Sequence, residues 1–258
     1  MSQPSHNDLI LDQFTRQATP FSTASTITDA AALKLIVETS EATLADTVLD
    51  VACGAGVVAC AFAAHVKHVT GFDMTPAMLA RGAEHAKELG LTNLSWRQGD
   101  ATSLPFVDGA FSIVLTRFSL HHFPDPLAVF KEMVRVCAGG GMVVVCDMYA
   151  STDPVKAATF NRLEMLRDPS HVRCLSLPEL EELFAKVGLS APKQANYELR
   201  DSVRNLLKRS FPNPGDDVEI TAMFDRHVDD DSLGIPPARR DGGEIFYAYP
   251  VVMLAARK

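Results

Sequence analysis

The 258-residue chain is short of several things, and each shortage excludes a class of protein. It has no CxxC pair, and its five cysteines stand apart at positions 53, 60, 137, 146 and 174. An odd, scattered set supplies neither a disulfide framework nor a structural zinc site, so free thiols in a reducing compartment and no metal site are expected. No run approaches the ~18 consecutive apolar residues of a membrane span. The first residues, MSQPSHNDLILDQFTRQ, have no basic region followed by an apolar stretch. No signal peptide, no membrane insertion and a cytoplasmic location are therefore expected. Positive charge is scarce as well: 24 Lys and Arg against 32 Asp and Glu leave a net charge of −8, which argues against a nucleic-acid partner. Internal repeats and low-complexity segments are missing. What remains is an ordinary globular composition, 47% hydrophobic and 22% charged, with material for a sizeable core. An oligomer stays open.

What is there alternates. Residues 1–27 are polar with scattered aromatics and read as an arm lying over something; 29–43 carry Leu33, Ile36 and Val37 at helical spacing. Short apolar strands are predicted at 47–52, 67–73, 94–100, 111–117 and 142–148. Between them lie helices at 57–65, from Thr75-Pro76 to Gly90, and from Asp125-Pro126 to the glycines at 139–141. Thr75 and Asp125 are expected to cap, and the prolines suit a first helical turn. Nearly continuous apolar strands alternating with helices imply a parallel sheet covered on both faces. Beyond residue 150 the pattern loosens. A capping box, Ser176 with Glu179, opens a helix that ends at Gly188. Residues 200–242 interrupt the alternation and read as a lid, and 244–257 as one or two closing strands.

The stretch VLDVACGAGVVA, residues 48–59, carries the first functional signal. A strand meets a bend too tight for side chains and continues as a helix. Gly54, Gly56 and Ala59 fit the loose G-x-G-x-x-G/A pattern, and Asp73 stands at the end of the next strand, placed to accept from ribose hydroxyls. On this alone the site suits a nicotinamide or flavin equally well. Asp50 shifts the balance: beside a pyrophosphate it would repel, whereas beside the ammonium of a methionine moiety it would attract. Asp100 and Ala101, in QGDATSLPF, end the third strand with an acid and a small residue suited to an adenine amine and ring.

With VLDVACGAG, GFDMTPAML, GDATSLPF, FSIVLTRFSLHHFPDP and GGGMVVVCDM in place, the sequence resembles a class I S-adenosylmethionine-dependent methyltransferase of the small-molecule group that includes ubiquinone and menaquinone methyltransferases. The resemblance covers about residues 45–150. It implies an α/β fold, Rossmann-like and doubly wound, with seven strands, mostly parallel and closed by an antiparallel strand. One domain spans 1–258, with 1–27 as an arm over the cofactor and 45–150 as the cofactor-binding core. S-adenosyl-L-methionine is the implied cofactor. Asp50, Ala52, Gly54, Gly56, Asp73, Met74, Asp100, Ala101 and Arg117 are implied around it, and Arg16 or Gln17 on its carboxylate.

A sulfonium methyl is already activated, so the protein's main task is positioning, with a base needed only where the nucleophile carries a proton. RFSLHHFPDP follows the fourth strand at the carboxyl end of the sheet, where substrates sit. His121 and His122 are the candidate base. Being adjacent, they cannot both point the same way. Phe21, Tyr149, His171 and Arg173 are candidate acceptor contacts. Asp229-Asp230-Asp231 reads as a solvated loop. The fourth strand lacks the Asn/Asp-Pro-Pro-aromatic sequence of base-amine methylation, and no glutamate pair follows it. A small, cyclic or aromatic acceptor is what remains. Two other readings stay in view, a nicotinamide-dependent oxidoreductase and a methyltransferase fold used for binding or cyclisation.

Overall fold

The computed structural model describes residues 4–258. One sheet organises it. Five parallel strands, β1 (Thr47–Val51), β2 (His68–Asp73), β3 (Leu94–Gln98), β4 (Phe111–Arg117) and β5 (Cys137–Met148), continue into antiparallel β8 (Glu244–Arg257) and β6 (Lys193–Ser202). The order is β3-β2-β1-β4-β5-β8-β6, and short β7 (Arg239–Asp241) adds an eighth strand by pairing with β8. The predicted parallel sheet with a closing antiparallel strand is therefore present, and 244–257 is one strand.

Both faces are covered, which is why the central strands read as unbroken apolar runs. On one face α2 (Ala30–Thr39), α3 (Val57–Ala63), α6 (Pro154–Arg167), α8 (Val203–Arg209) and α9 (Asp216–His227) bury Ile36, Phe62, Phe160, Leu206 and Phe224. On the other, α5 (Pro126–Val136) and α7 (Leu177–Lys186) bury Phe130, Met133, Leu183 and Phe184. Helix α4 (Pro76–Glu88) packs against β2 and β3.

Three elements differ from the sequence reading. Residues 6–23 form a helix, α1 (His6–Thr23), not an irregular arm. Its inner face mixes Ile10 and Ala18 with buried Gln13 and Gln17, so polar side chains hide the period. Helix α6 has the same disguise, with Asn161 and Glu164 on its buried side. Strand β6 is a polar edge strand whose burial merely alternates between half-buried and exposed. Further, the glycines at 139–141 do not end α5 but lie inside β5. A Cβ on Gly141 would stand 2.6 Å from the Ser112 carbonyl oxygen.

Candidate active site

The order β2-β1-β4 puts the topological switch at the carboxyl ends of β1 and β4, where α/β sheets open a crevice. Both strands end in a left-handed residue that is not glycine: Ala52 and Phe118 each have φ 54°. For an aromatic residue this is a costly conformation that the surroundings must impose. A cavity of about 320 Å³ opens there. Its walls include Asp50, Ala52, Gly54, Asp73, Met74, Asp100, Ala101 and Arg117 from the strand ends, Ile10, Phe14 and Phe21 from α1, and Phe118, His122 and Phe123 after β4.

Asp73 organises the floor. Its Oδ2 accepts from the Gly54 N–H and its Oδ1 from the Thr75 N–H, both at 2.8 Å. It thus pins the glycine bend and caps α4. The capping expected of Thr75 falls to Asp73 instead, and the Thr75 hydroxyl has no partner. Burial pushes the Asp73 carboxyl up, and these backbone bonds only partly offset it. Asp100 accepts from the Thr102 N–H and hydroxyl at 2.8 and 2.7 Å, an Asx turn that holds its carboxylate at the rim.

Asp50 and Arg117 differ from these. Both are buried, yet Asp50 Oδ2 and Arg117 Nε have no hydrogen-bond partner among the described residues. Burial first, and the neighbouring Asp73 charge second, push Asp50 up to about 8. Arg117 spends one terminal nitrogen on the Ile27 carbonyl at 2.9 Å, and its guanidinium lies 4.6 Å over the Phe118 ring.

The paired histidines diverge, as adjacent residues on the 3-10 turn Leu120–His122 must. His121 is drawn inward, its Nδ1 2.7 Å from Asp147 Oδ1, and it does not line the cavity. His122 does line it. Burial, then the adjacent His121, hold its imidazole down at about 4.

Several expected contacts lie elsewhere. Gly56 is not a wall residue. Its φ of 70° and the Trp96 ring, 2.3 Å from where a Cβ would stand, account for the glycine. Gly71 and Gly82 flank the same indole. His171 is buried behind His122 with Nε2 2.9 Å from Asn161 Oδ1, Arg173 pairs with Glu179 at the surface, and Tyr149 packs beneath the other face of the sheet. None of the three reaches the cavity. Arg16 pairs with Asp12 and Gln17 with Asp168, so neither stands in the wall. No residue of 200–242 lines the cavity either: α9 packs on α6, and α8 backs α1. Covering is done by α1, through Phe14 and Phe21 packed around Met78 and Ala55. Sequence reasoning placed Phe14 in an arm over the cofactor without naming it as a contact, and missed Ile10. Their spacing of four was the available signal.

The model for a methyltransferase domain matches residues 48–141. Over 200 residues the chain is 34% identical to the uncharacterized methyltransferase YcgJ of Bacillus subtilis, spanning 78% of this chain and 79% of that one. The chain belongs to the class I S-adenosylmethionine-dependent methyltransferase family. The crystal structure of YcgJ superposes on this methyltransferase fold with a TM-score of 0.81 at 30% identity, covering 88% of this chain and 98% of that one. The ubiquinone/menaquinone biosynthesis C-methyltransferase UbiE of Bdellovibrio bacteriovorus is 36% identical over 130 residues, 50% of this chain and 55% of that one. At 17% identity, geranyl diphosphate C-methyltransferase of Streptomyces coelicolor, in complex with Mg2+, geranyl diphosphate and S-adenosyl-L-homocysteine, shares the fold alone. Its TM-score is 0.61 over 89% of this chain and 77% of that one. No helix among the described residues is long and apolar enough to cross a membrane.

Proposed function

We propose that this chain is an S-adenosylmethionine-dependent methyltransferase acting on a small, cyclic or aromatic metabolite at carbon, oxygen or nitrogen. One observation carries the reading. The cavity wall buries an unpartnered acid oxygen at Asp50 and an unpartnered guanidinium nitrogen at Arg117. Buried polar groups find partners, and an amino-acid tail offers an ammonium to the first and a carboxylate to the second. A pyrophosphate would bring negative charge against Asp50 instead. The remaining lone pairs of Asp73 suit ribose hydroxyls, Asp100 and Ala101 suit adenine, and Ala52, Gly54 and Met74 suit the thioether chain. Four aspartates and a single arginine among the wall residues favour a cationic ligand, whose ammonium takes the place of the proton that burial keeps on Asp50 in the cofactor-free protein.

When bound, the cofactor supplies a methyl group on positively charged sulfur, ready for displacement. The chain's own work is to hold the acceptor in line and keep water away, for which α1 and the aromatic rings of Phe14, Phe21, Phe118 and Phe123 are suited. His122 takes the acceptor's proton at Nε2 while its bonding electrons stay on the acceptor. A base held near 4 suffices, because a hydroxyl proton becomes strongly acidic as the new bond forms.

Calorimetric titration tests the cofactor. S-adenosylhomocysteine should bind and NADH should not, and Asp73→Ala should weaken S-adenosylhomocysteine by about 1–3 kcal/mol. Tight NADH binding, or unchanged affinity in the variant, would refute the assignment.

A further inference from the structure

His122 is held by a segment that the methyltransferase reading does not use. Its Nδ1 lies 3.1 Å from the Ser170 carbonyl oxygen and 3.2 Å from the Ser170 hydroxyl. The carbonyl can only accept, so it calls for a proton on Nδ1. The hydroxyl could donate to Nδ1 and force the opposite tautomer, but its proton is taken. Ser170 Oγ donates to Asp168 Oδ1 at 2.6 Å, and the Ser170 N–H donates to the same oxygen at 2.9 Å. Asp168 is itself fixed from α1, where Gln17 Nε2 donates to its Oδ2 at 3.2 Å. All of these groups are buried. The same helix sets Phe14 edge-on to the imidazole at 5.0 Å and brings His6 Nε2 within 2.7 Å of the His122 carbonyl oxygen.

With Nδ1 committed, the opposite side of the ring carries a bare lone pair. Nε2 has no hydrogen-bond partner among the described residues, and the ring borders the cavity. Resting on the reading of His122 as the group that meets the acceptor, we propose that Asp168 and Ser170 are positioning residues that lock His122 in its Nδ1–H tautomer, so that the chamber selects an uncharged acceptor presenting a hydroxyl. A methyl ether or a carbonyl at that place would set lone pair against lone pair. An anionic acceptor would meet the aspartates of the wall, whose single arginine is assigned to the carboxylate of the amino-acid tail. The apolar wall residues Ile10, Phe14, Phe118 and Phe123 of the same cavity fit an apolar or aromatic body.

The tautomer is read directly by nitrogen NMR of the full chain labelled in histidine. Wild type should show His122 protonated on Nδ1. Asp168→Ala frees the Ser170 hydroxyl and should populate the Nε2–H form. Adding Ser170→Ala should restore the Nδ1–H form, and Asp168→Asn, which keeps an accepting oxygen, should retain it. No merely structural role predicts that restoration. Selectivity is read with 2-naphthol and 2-methoxynaphthalene, titrated in the presence of S-adenosylhomocysteine. Wild type should prefer the naphthol by roughly 5- to 10-fold, the scale of one buried hydrogen bond, and Asp168→Ala should bring the ratio near one.

Equal binding of the two probes by wild type, or binding of neither, overturns the proposal. If His122→Ala keeps the preference, His122 does not meet the acceptor and the underlying reading falls. If His122→Ala loses the preference while Asp168→Ala keeps both preference and tautomer, only the positioning roles fall. Should Asp168→Ala fail to fold, a wild-type spectrum with the Nε2–H form is sufficient to overturn it.

Discussion

Asp50 and Asp168 are both buried carboxylates, yet the fold treats them oppositely. Asp50, at the end of β1, keeps one oxygen without a partner, and burial beside Asp73 pushes it up to about 8. Asp168, after α6, has both oxygens bonded, to Ser170 and to Gln17. Burial would raise it too, but the neighbouring His122, the Arg167 guanidinium and the Ser170 bonds outweigh that and hold it below the ordinary carboxylate range. The neighbouring carboxylate is paired as well: Glu164 takes Arg167 at 2.6 and 2.9 Å and the Tyr249 hydroxyl at 2.6 Å. A satisfied carboxylate is scaffold; an unsatisfied one keeps a place for a cation from outside.

That contrast can be broken in three ways. The largest effect belongs to the paired side. Glu164→Ala leaves Arg167 buried without its partner and should cost about 3–5 kcal/mol in denaturant unfolding. Its folded fraction should still bind S-adenosylhomocysteine within about 3-fold of wild type, on the scale of exposed-pair effects at most. Asp50→Asn should do the reverse. Affinity should fall by about 2–3 kcal/mol, while the cofactor-free protein gains up to about 4 kcal/mol, because at pH 7 the native acid holds a proton the unfolded one has lost. A variant that loses stability along with affinity would place Asp50 in the scaffold.

The smallest effect is a slope. His122 stands at about 4 and His171 is held far below its ordinary value by burial and by His121 and His122. The unfolded chain takes up protons on these histidines below pH ~6.5 and the native chain does not, so acid destabilises. Asp50 works the other way in the same window, since only the native form holds its proton. Between pH 6.5 and 5 the stability of Asp50→Asn should therefore fall more steeply than wild type by about 1.4 kcal/mol per pH unit. Parallel curves would deny the opposition.

The same contrast explains what the sequence made legible. Strands β1, β2, β4 and β5 stand out because both faces are apolar, and Asp73 and Asp100 because they end strands. Of the nine strand-end and bend residues expected around the cofactor, eight line the cavity; Gly56 turns out to serve the packing of Trp96, and neither Arg16 nor Gln17, expected on the cofactor's carboxylate, stands in the wall. The paired side was opaque. Gln13, Gln17, Asn161 and Glu164 occupy buried helix faces, and a buried polar residue looks exposed until its partner is known. His171 reads as a substrate ligand for the same reason, though Asn161, ten residues earlier, already holds it. His121 cannot be told from His122 without Asp147, twenty-six residues away. Hydrophobic periodicity reports burial and says nothing of hydrogen bonds formed across the chain.

Trp96, the single tryptophan, lies across Gly56, Gly71 and Gly82, pressed against the glycine bend from outside the cavity. The molecule thus carries its own optical gauge at one place. Indole emission comes from that one junction of bend, β2 and α4, so a ligand that tightens the bend should shift its colour and intensity without any label.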